Sequence, residues 1–366
     1  MVQAFDAGRL SLSGVAVPIA EGIGRGGPIK FSVSGTGVLA YRTGIYSGTF
    51  PGAITQLTWF DRDGKVLGTA GEPGGYNTVA LSPDGSRVAV SRSDTRTTLS
   101  WRGSYDIWVH EFARGIPTRL TSESASNRTA TWSPDGRSVI FSSDRDNPVA
   151  NLYQKVATGA GNEVLLLKSN DDKSVLDCSP DGRFLLFSVG SGPNVGTAPQ
   201  DLWVLPLTSG KPGDRQPEPY LKTRFNESQG RFSPDSRFIA YTSDVSGRNE
   251  IYVQPFPTAS GDRVTVSRGG GVAPRWGSGG KELFYISDDS KMMAVEVSTD
   301  PVFKAGIPKV LFQAPVWGGG ISRIPTRYDV TADGKKFLIN SLPAEAGAPA
   351  TSPITVVLNW RELLKK

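Results

Sequence analysis

Ser82-Pro83-Asp84-Gly85, Ser133-Pro134-Asp135-Gly136, Ser179-Pro180-Asp181-Gly182 and Ser233-Pro234-Asp235-Ser236 are four copies of one phrase, spaced at 51, 46 and 54 residues. Pro presets φ for the first central position of a type I turn, Asp bonds its own backbone at the second, and Gly takes the left-handed position that follows. An apolar run enters each turn (Val79-Ala80-Leu81, Thr131-Trp132, Leu176-Asp177-Cys178, Arg231-Phe232). Another leaves it (Val88-Ala89-Val90, Val139-Ile140-Phe141, Phe184-Leu185-Leu186-Phe187, Phe238-Ile239-Ala240-Tyr241). A turn between two such runs is a β-hairpin. A hairpin that returns every ~40–50 residues belongs to the blade periods of propellers. The four Asp residues are read as turn formers.

Degenerate copies extend the series. Ser32-Val33-Ser34-Gly35, Gly277-Ser278-Gly279-Gly280 and Thr331-Ala332-Asp333-Gly334 each precede an apolar run and keep the closing Gly. A third strand of polar residue, Ile or Leu, then aromatic follows the hairpin, as in Asp106-Ile107-Trp108-Val109, Asn151-Leu152-Tyr153-Gln154, Asp201-Leu202-Trp203-Val204 and Glu250-Ile251-Tyr252-Val253. Lys291-Met292-Met293-Ala294 is a weaker copy, and Gln56-Leu57-Thr58-Trp59 serves the first unit. Pro117-Thr118-Arg119-Leu120 and Arg263-Val264-Thr265-Val266 read as fourth strands. The fold expected is an all-β propeller of four-stranded antiparallel blades. Units start near 32, 82, 133, 179, 233, 277 and 331, which predicts seven blades, with six or eight as alternatives. One domain is expected over 1–366, closed by mixing N- and C-terminal strands, with residues 1–20 completing the last blade. Closure removes sheet edges that otherwise invite aggregation.

Gly 43 and Pro 26 suit a chain of turns, and a net charge of +5 is small for 366 residues. No basic run exceeds pairs such as Lys335-Lys336, so nucleic acid is not an expected partner. No apolar stretch reaches the ~18 residues of a membrane span, so no membrane insertion by this chain is expected. The single cysteine, Cys178, lies in an apolar run and reads as core.

Catalytic signals are sparse. His110 is the only histidine, so a Ser-His-Asp hydrolase would have to use it, and no G-x-S-x-G elbow occurs. It reads as a strand-end surface residue. A zinc site is excluded by counting His and Cys, and no cofactor or metal is expected. Gly22-Ile23-Gly24-Arg25-Gly26-Gly27 matches G-x-G-x-x-G but leads into Pro28 and a β-run rather than a helix, so it reads as a connection. Asp61-Arg62-Asp63-Gly64, Asp144-Arg145-Asp146-Asn147 and Asp288-Asp289 read as turns between strands.

Asp201-Leu202-Trp203-Val204-Leu205-Pro206-Leu207, Gly247-Arg248-Asn249-Glu250-Ile251-Tyr252-Val253-Gln254-Pro255-Phe256-Pro257, Lys281-Glu282-Leu283-Phe284-Tyr285 and the ending Pro353-Ile354-Thr355-Val356-Val357-Leu358-Asn359-Trp360 resemble TolB-like β-propellers. Within that group the chain is most similar to propellers that follow the kinase domain of bacterial membrane Ser/Thr kinases. The resemblance implies a non-catalytic sensory or interaction module in a periplasmic or extracytoplasmic setting. It supplies no ligand residues.

The residues themselves point to the loops entering the innermost strands, because such loops hold recognition groups on a rigid frame. The candidate ligand-binding set is Asn77, Arg128, Asp172, Lys173, Asn226, Glu227, Gln229, Arg275, Arg327 and Tyr328. The partner expected is a peptide, a protein or a small polar ligand. The alternative is a propeller hydrolase of glycosidase type, with Glu227 and Asp172 as its carboxylate pair, or the gating propeller of a peptidase.

Overall fold

The computed structural model describes residues 2–6, 11–17, 31–34, 38–42, 54–93, 105–121, 125–146, 149–190, 199–259, 263–300, 302–316, 327–342 and 354–357. The chain divides into two compact units. The smaller comprises Met1–Thr49 and Ala344–Lys366. Within it Val2–Asp6 pairs with Ser11–Val17, and Ile354–Val357, Leu39–Arg42 and Phe31–Val33 form a three-stranded sheet. The glycine-rich segment 22–27 lies outside the described residues.

The described residues of the larger unit, Phe50–Pro343, form six sets of four antiparallel strands, with the short strand Lys304–Ala305 added to the fifth. Set I is the second half of Val66–Leu81 with Arg87–Ser93, Asp106–Glu111 and Pro117–Arg119. Set II runs Asn127–Trp132, Ser138–Ser143, Asn151–Val156, Val164–Leu167. Set III runs Asp172–Cys178, Phe184–Gly190, Gln200–Pro206, Glu218–Leu221. Set IV runs Glu227–Phe232, Phe238–Ser243, Glu250–Pro255, Val264–Thr265. Set V runs Val272–Gly277, Glu282–Ile286, Lys291–Ser298, Lys309–Gln313. Set VI joins Tyr328–Val330 and Phe337–Ser341 to Thr55–Phe60 and the first half of Val66–Leu81.

Set VI is where sequence and structure part. Seven units were expected, and the described residues of this unit form six four-strand sets. The strands of the unit starting near 32 pair with Ile354–Val357 in the smaller unit. Gln56-Leu57-Thr58-Trp59 belongs to the set that begins at Tyr328, opposite Ser341-Asn340-Ile339-Leu338. Strands from the two ends of this unit mix in set VI. The place foreseen for residues 1–20 is held by Thr55–Phe60 and the first half of Val66–Leu81.

The turns behave as their chemistry dictates. In the first, Ser82 Oγ donates to Asp84 Oδ1 at 2.5 Å, and Asp84 Oδ1 accepts Ser86 N at 3.0 Å. Gly85, Gly136, Gly182 and Gly334 have φ between 65° and 72°, and Ser236 takes the same conformation at 58°. The Ser-to-Asp bond recurs at Ser133–Asp135, Ser179–Asp181, Ser233–Asp235 and Thr331–Asp333. These donors hold Asp84 at about 2 and keep Asp135 and Asp333 below the usual carboxylate range. The third-strand polar residue has a job of its own. Asp106 accepts Thr121 Oγ1, Asn151 accepts Ser169 N, Asp201 accepts Thr223 N and Glu250 accepts Ser267 Oγ, so each pins the segment that follows the fourth strand.

Six apolar clusters fill the seams between successive sets. Ile107 and Ala89 meet Val139 and Phe141 between I and II. Leu152 and Ile140 meet Leu185 and Phe187 between II and III, where Cys178 is buried as expected. Leu186 and Leu202 meet Ile239 and Tyr241 between III and IV. Phe238 and Val253 meet Leu283 and Val295 between IV and V. Phe284 and Met292 meet Phe337 and Ile339 between V and VI. Leu57 and Leu338 meet Val79, Val88 and Val90 between VI and I. The innermost strands touch in the same order, and the last touches the first. This cyclic packing of wedge-like sheets is the propeller arrangement. The III–IV seam leaves little room for a side chain at Gly230. A Cβ there would lie 2.7 Å from Leu186 Cδ2, and Leu186 is fully buried. Gly230→Ala is expected to cost about 1–3 kcal/mol by overpacking, checked by urea unfolding. A change below ~0.5 kcal/mol would show that this seam is loose.

Candidate functional site

Each innermost strand carries one residue two places before the first residue of its turn. In sets I to VI these are Ala80, Thr131, Asp177, Arg231, Arg275 and Asp329. Four of the six are charged, in strands otherwise built for burial. Arg231 Nη1 lies 3.3 Å from Asp177 Oδ1, and Arg275 Nε lies 2.9 Å from Asp329 Oδ1. Both carboxylates also latch the next set: Phe232 N donates to Asp177 Oδ2 at 2.9 Å, and Leu81 N donates to Asp329 Oδ2 at 2.8 Å. Arg275 stands 5.6 Å above the Tyr328 ring, and Tyr328 Oη donates to Ala273 O at 2.7 Å.

These groups converge on the axis rather than acting in isolated pairs. Burial pushes the Asp177 carboxyl up, opposed by Arg231 and by Arg275 of set V, while Asp329 of set VI adds to the rise. Burial and the Arg231 charge bring the Arg275 guanidinium down to about 10, opposed by Asp329 and Asp177. Charges from sets III, IV, V and VI therefore sense one another. Just upstream, Gln229 and Ala273 take left-handed backbone at φ 56° and 59°, a conformation uncommon for residues with a Cβ. Gln229 Oε1 accepts Ala273 N and Thr242 Oγ1, each at 2.8 Å, which holds both bulges.

The residues foreseen from sequence fall in two groups. Arg275, Tyr328 and Gln229 belong to this axial cluster. The others sit where the innermost strands begin. Arg128 bridges Asp144 and Asp172 at 3.2 and 3.3 Å, so Arg128 and Asp172 are brought together across the II–III seam. Lys173 is buried, donates to Asn151 Oδ1 at 3.1 Å and Asp171 O at 2.6 Å, and is brought down to about 8 by burial. Asn226 Oδ1 accepts Gln200 N, Asn77 sits half-buried at a register shift, and Arg327 is buried with its guanidinium lowered to about 9. Glu227 is fully buried. Its Oε1 accepts Thr223 Oγ1 at 2.7 Å, Oε2 has no hydrogen-bond partner, and burial raises its carboxyl to about 7. Asp172 is tied to Arg128 and Ala150 N, so no contact joins it to Glu227 among the described residues.

His110 is not a surface residue. It is 4% exposed, edge-on to Tyr76 with centroids 5.8 Å apart, and backed by Gly71, whose Cβ would fall 2.7 Å from Nδ1. Burial brings it down to about 4, so it is neutral at pH 7. Sequence reading missed Asp177, Arg231 and Asp329. Their signal is a charged side chain at a fixed offset from a turn, within an apolar run. The acidic turns behave locally: Asp61 Oδ1 accepts Asp63 N and Lys65 N, and Asp146 accepts Tyr153 Oη. No cluster of three metal-ligating side chains occurs among the described residues.

Glu227 and His110 predict opposing pH effects. Glu227 binds its proton more tightly when folded, so its contribution is full below about pH 4.5 and lost as pH rises through 7. His110 binds its proton less tightly when folded, so its contribution is full above about 6.5 and lost as pH falls through 4. Glu227→Gln is expected to unmask a loss of stability on acidification from pH 6.5 to 4.5, and His110→Phe a loss on raising pH from 4.5 to 7. Denaturation midpoints across that range provide the check. Unchanged slopes in both variants would contradict these assignments.

No family model matches the sequence. Over 113 residues the chain is 33% identical to the uncharacterized peptidase YuxL of Bacillus subtilis, an alignment covering 30% of this chain and only 17% of that relative. The structure of a putative TolB from Agrobacterium tumefaciens superposes with a TM-score of 0.60 at 19% identity, covering 81% of this chain and all of that one. TolB from Acinetobacter baumannii gives 0.48 at 17% identity, over 73% of this chain and 66% of that one. The class is therefore an all-β propeller. Its fold is TolB-like, with sheets held by inter-sheet seams and an axis lined by the innermost strands. No helix among the described residues is long and apolar enough to cross a membrane.

Proposed function

We propose that this protein is a non-catalytic binding scaffold that recognises a peptide, a protein or a small polar ligand at the axial face of its innermost strands. One observation carries the reading: charged side chains from four separate sets, on largely buried innermost strands, interact with one another. A rigid frame presenting grouped polar side chains suits recognition. The candidates at the strand entrances, Asn77, Arg128, Asp172, Lys173, Asn226, Glu227 and Arg327, form the outer part of the proposed surface. Following the resemblance to kinase-linked propellers, we place the scaffold in a bacterial signalling protein as its extracytoplasmic sensor. A reading frame that continues upstream into a membrane helix and a kinase domain supports this role. A frame without them removes the sensor assignment but not the scaffold.

The partial identity to a peptidase favours, as a second reading, a propeller that gates a peptidase. A reading frame that continues into a peptidase domain would favour the gate over the sensor, and a turnover assay tests whether the propeller itself is catalytic. Assayed with peptide and glycoside substrates, the chain is expected to show no turnover. Turnover abolished by Glu227→Gln, or sharply reduced by His110→Ala, would overturn the non-catalytic reading.

A further inference from the structure

The axial cluster is asymmetric. In ring order its charges read Asp177, Arg231, Arg275, Asp329, so the two guanidiniums are neighbours and each acid lies outside them. Each acid is already engaged by its own arginine and by a backbone N–H of the next set. That leaves donors unspent. Arg275 uses Nε on Asp329 and Nη1 on Pro274 O at 2.8 Å, while its Nη2 is buried with no hydrogen-bond partner. Arg231 Nε is likewise buried without one. The Arg275 side chain is only 4% exposed, whereas Arg231, Asp177 and Asp329 retain 14%, 20% and 15%, so the cluster is not fully sealed from solvent. A buried N–H left unmade is costly, and two adjacent cations repel. Water would satisfy the first problem but not the second.

We infer that the paired guanidiniums of Arg231 and Arg275 form a binding site for one oxyanion, a carboxylate or a phosphate group, at the axis between sets IV and V. Guanidinium donors match the planar or tetrahedral oxygens of both groups, and a partly desolvated site strengthens each charge-assisted bond. The flanking acids limit the site to a single small anion. This inference rests on the reading of the innermost strands as a recognition surface and names the chemistry they recognise.

The test is titration with inorganic phosphate, and separately with acetate, at constant ionic strength set by sodium chloride, followed by calorimetry and by the thermal midpoint. Wild type is expected to show saturable binding by calorimetry and a midpoint that keeps rising with the logarithm of ligand concentration above Kd, as a ligand specific to the folded state must produce. Arg231→Lys keeps the charge beside Asp177 but loses Nε–H, and is expected to weaken binding at least tenfold. Arg275→Lys is expected to weaken binding to a similar degree, and Arg231→Lys serves alone if Arg275→Lys fails to fold. Binding of phosphate alone or acetate alone identifies the ligand group. No saturable binding of either, or equal binding in Arg231→Lys, overturns the site. Binding lost in Arg128→Lys instead would place the anion at the strand entrances, which sinks this inference while leaving the scaffold reading intact.

Discussion

Arg275→Met is expected to lower the free energy of unfolding by about 3–5 kcal/mol, the cost of stranding a buried charge after its partner is removed. The value follows from the position of Asp329. Its carboxylate lies in a desolvated cluster, accepts Arg275 Nε at 2.9 Å, and cannot move to solvent without releasing Leu81 N in the neighbouring set. Arg275→Met combined with Asp329→Asn is expected to recover at least half of the loss. Asn keeps an acceptor for Leu81 N and carries no charge. Urea denaturation with a common slope measures both. A single variant within ~0.5 kcal/mol of wild type would mean that the pair is solvated, and the axial cluster would lose its claim to be a coupled unit.

Phe337→Ala is expected to cost about 3–5 kcal/mol, the range for truncating a buried aromatic. Phe337 is fully buried and stands edge-on to Phe284 and Phe312 of set V, with centroids 5.2 and 5.5 Å away. It pairs in register with Phe60, from the other end of the unit. The variant therefore probes both the V–VI seam and the set that joins the ends. Val310→Ala, at a position 55% exposed, is the control and should stay within ~0.5 kcal/mol. If Phe337→Ala costs less than ~1 kcal/mol, set VI does not share the cooperative transition of the other sets.

Local chemistry made the hairpins legible. A Ser, Pro, Asp, Gly turn fixes its own bonds within five residues, so its structure is written where it occurs. The ownership of Gln56-Leu57-Thr58-Trp59 is not local. Its alternation suits any third strand, and only its fit to Leu338 and Ile339 selects set VI. The axial cluster was half visible for the same reason. Arg275 and Tyr328 stood out as polar groups at the inner strands, but Asp177 and Arg231 lie within runs read as apolar and gain meaning only from ring order. His110 misled because a lone polar residue near a strand end resembles a surface residue. Its burial depends on Tyr76 and Gly71, both distant in sequence.

The union in set VI also dictates a timetable. Ser341 Oγ donates to Gln56 O across a sequence separation of 285 residues. During synthesis Thr55–Phe60 leaves the ribosome with one flank bare and stays so until Phe337–Ser341 arrives. At about 5–20 residues per second that wait lasts tens of seconds. For this interval the nascent chain carries a half-finished sheet, with Leu57 and Phe60 lacking the strand that covers their flank in the finished fold.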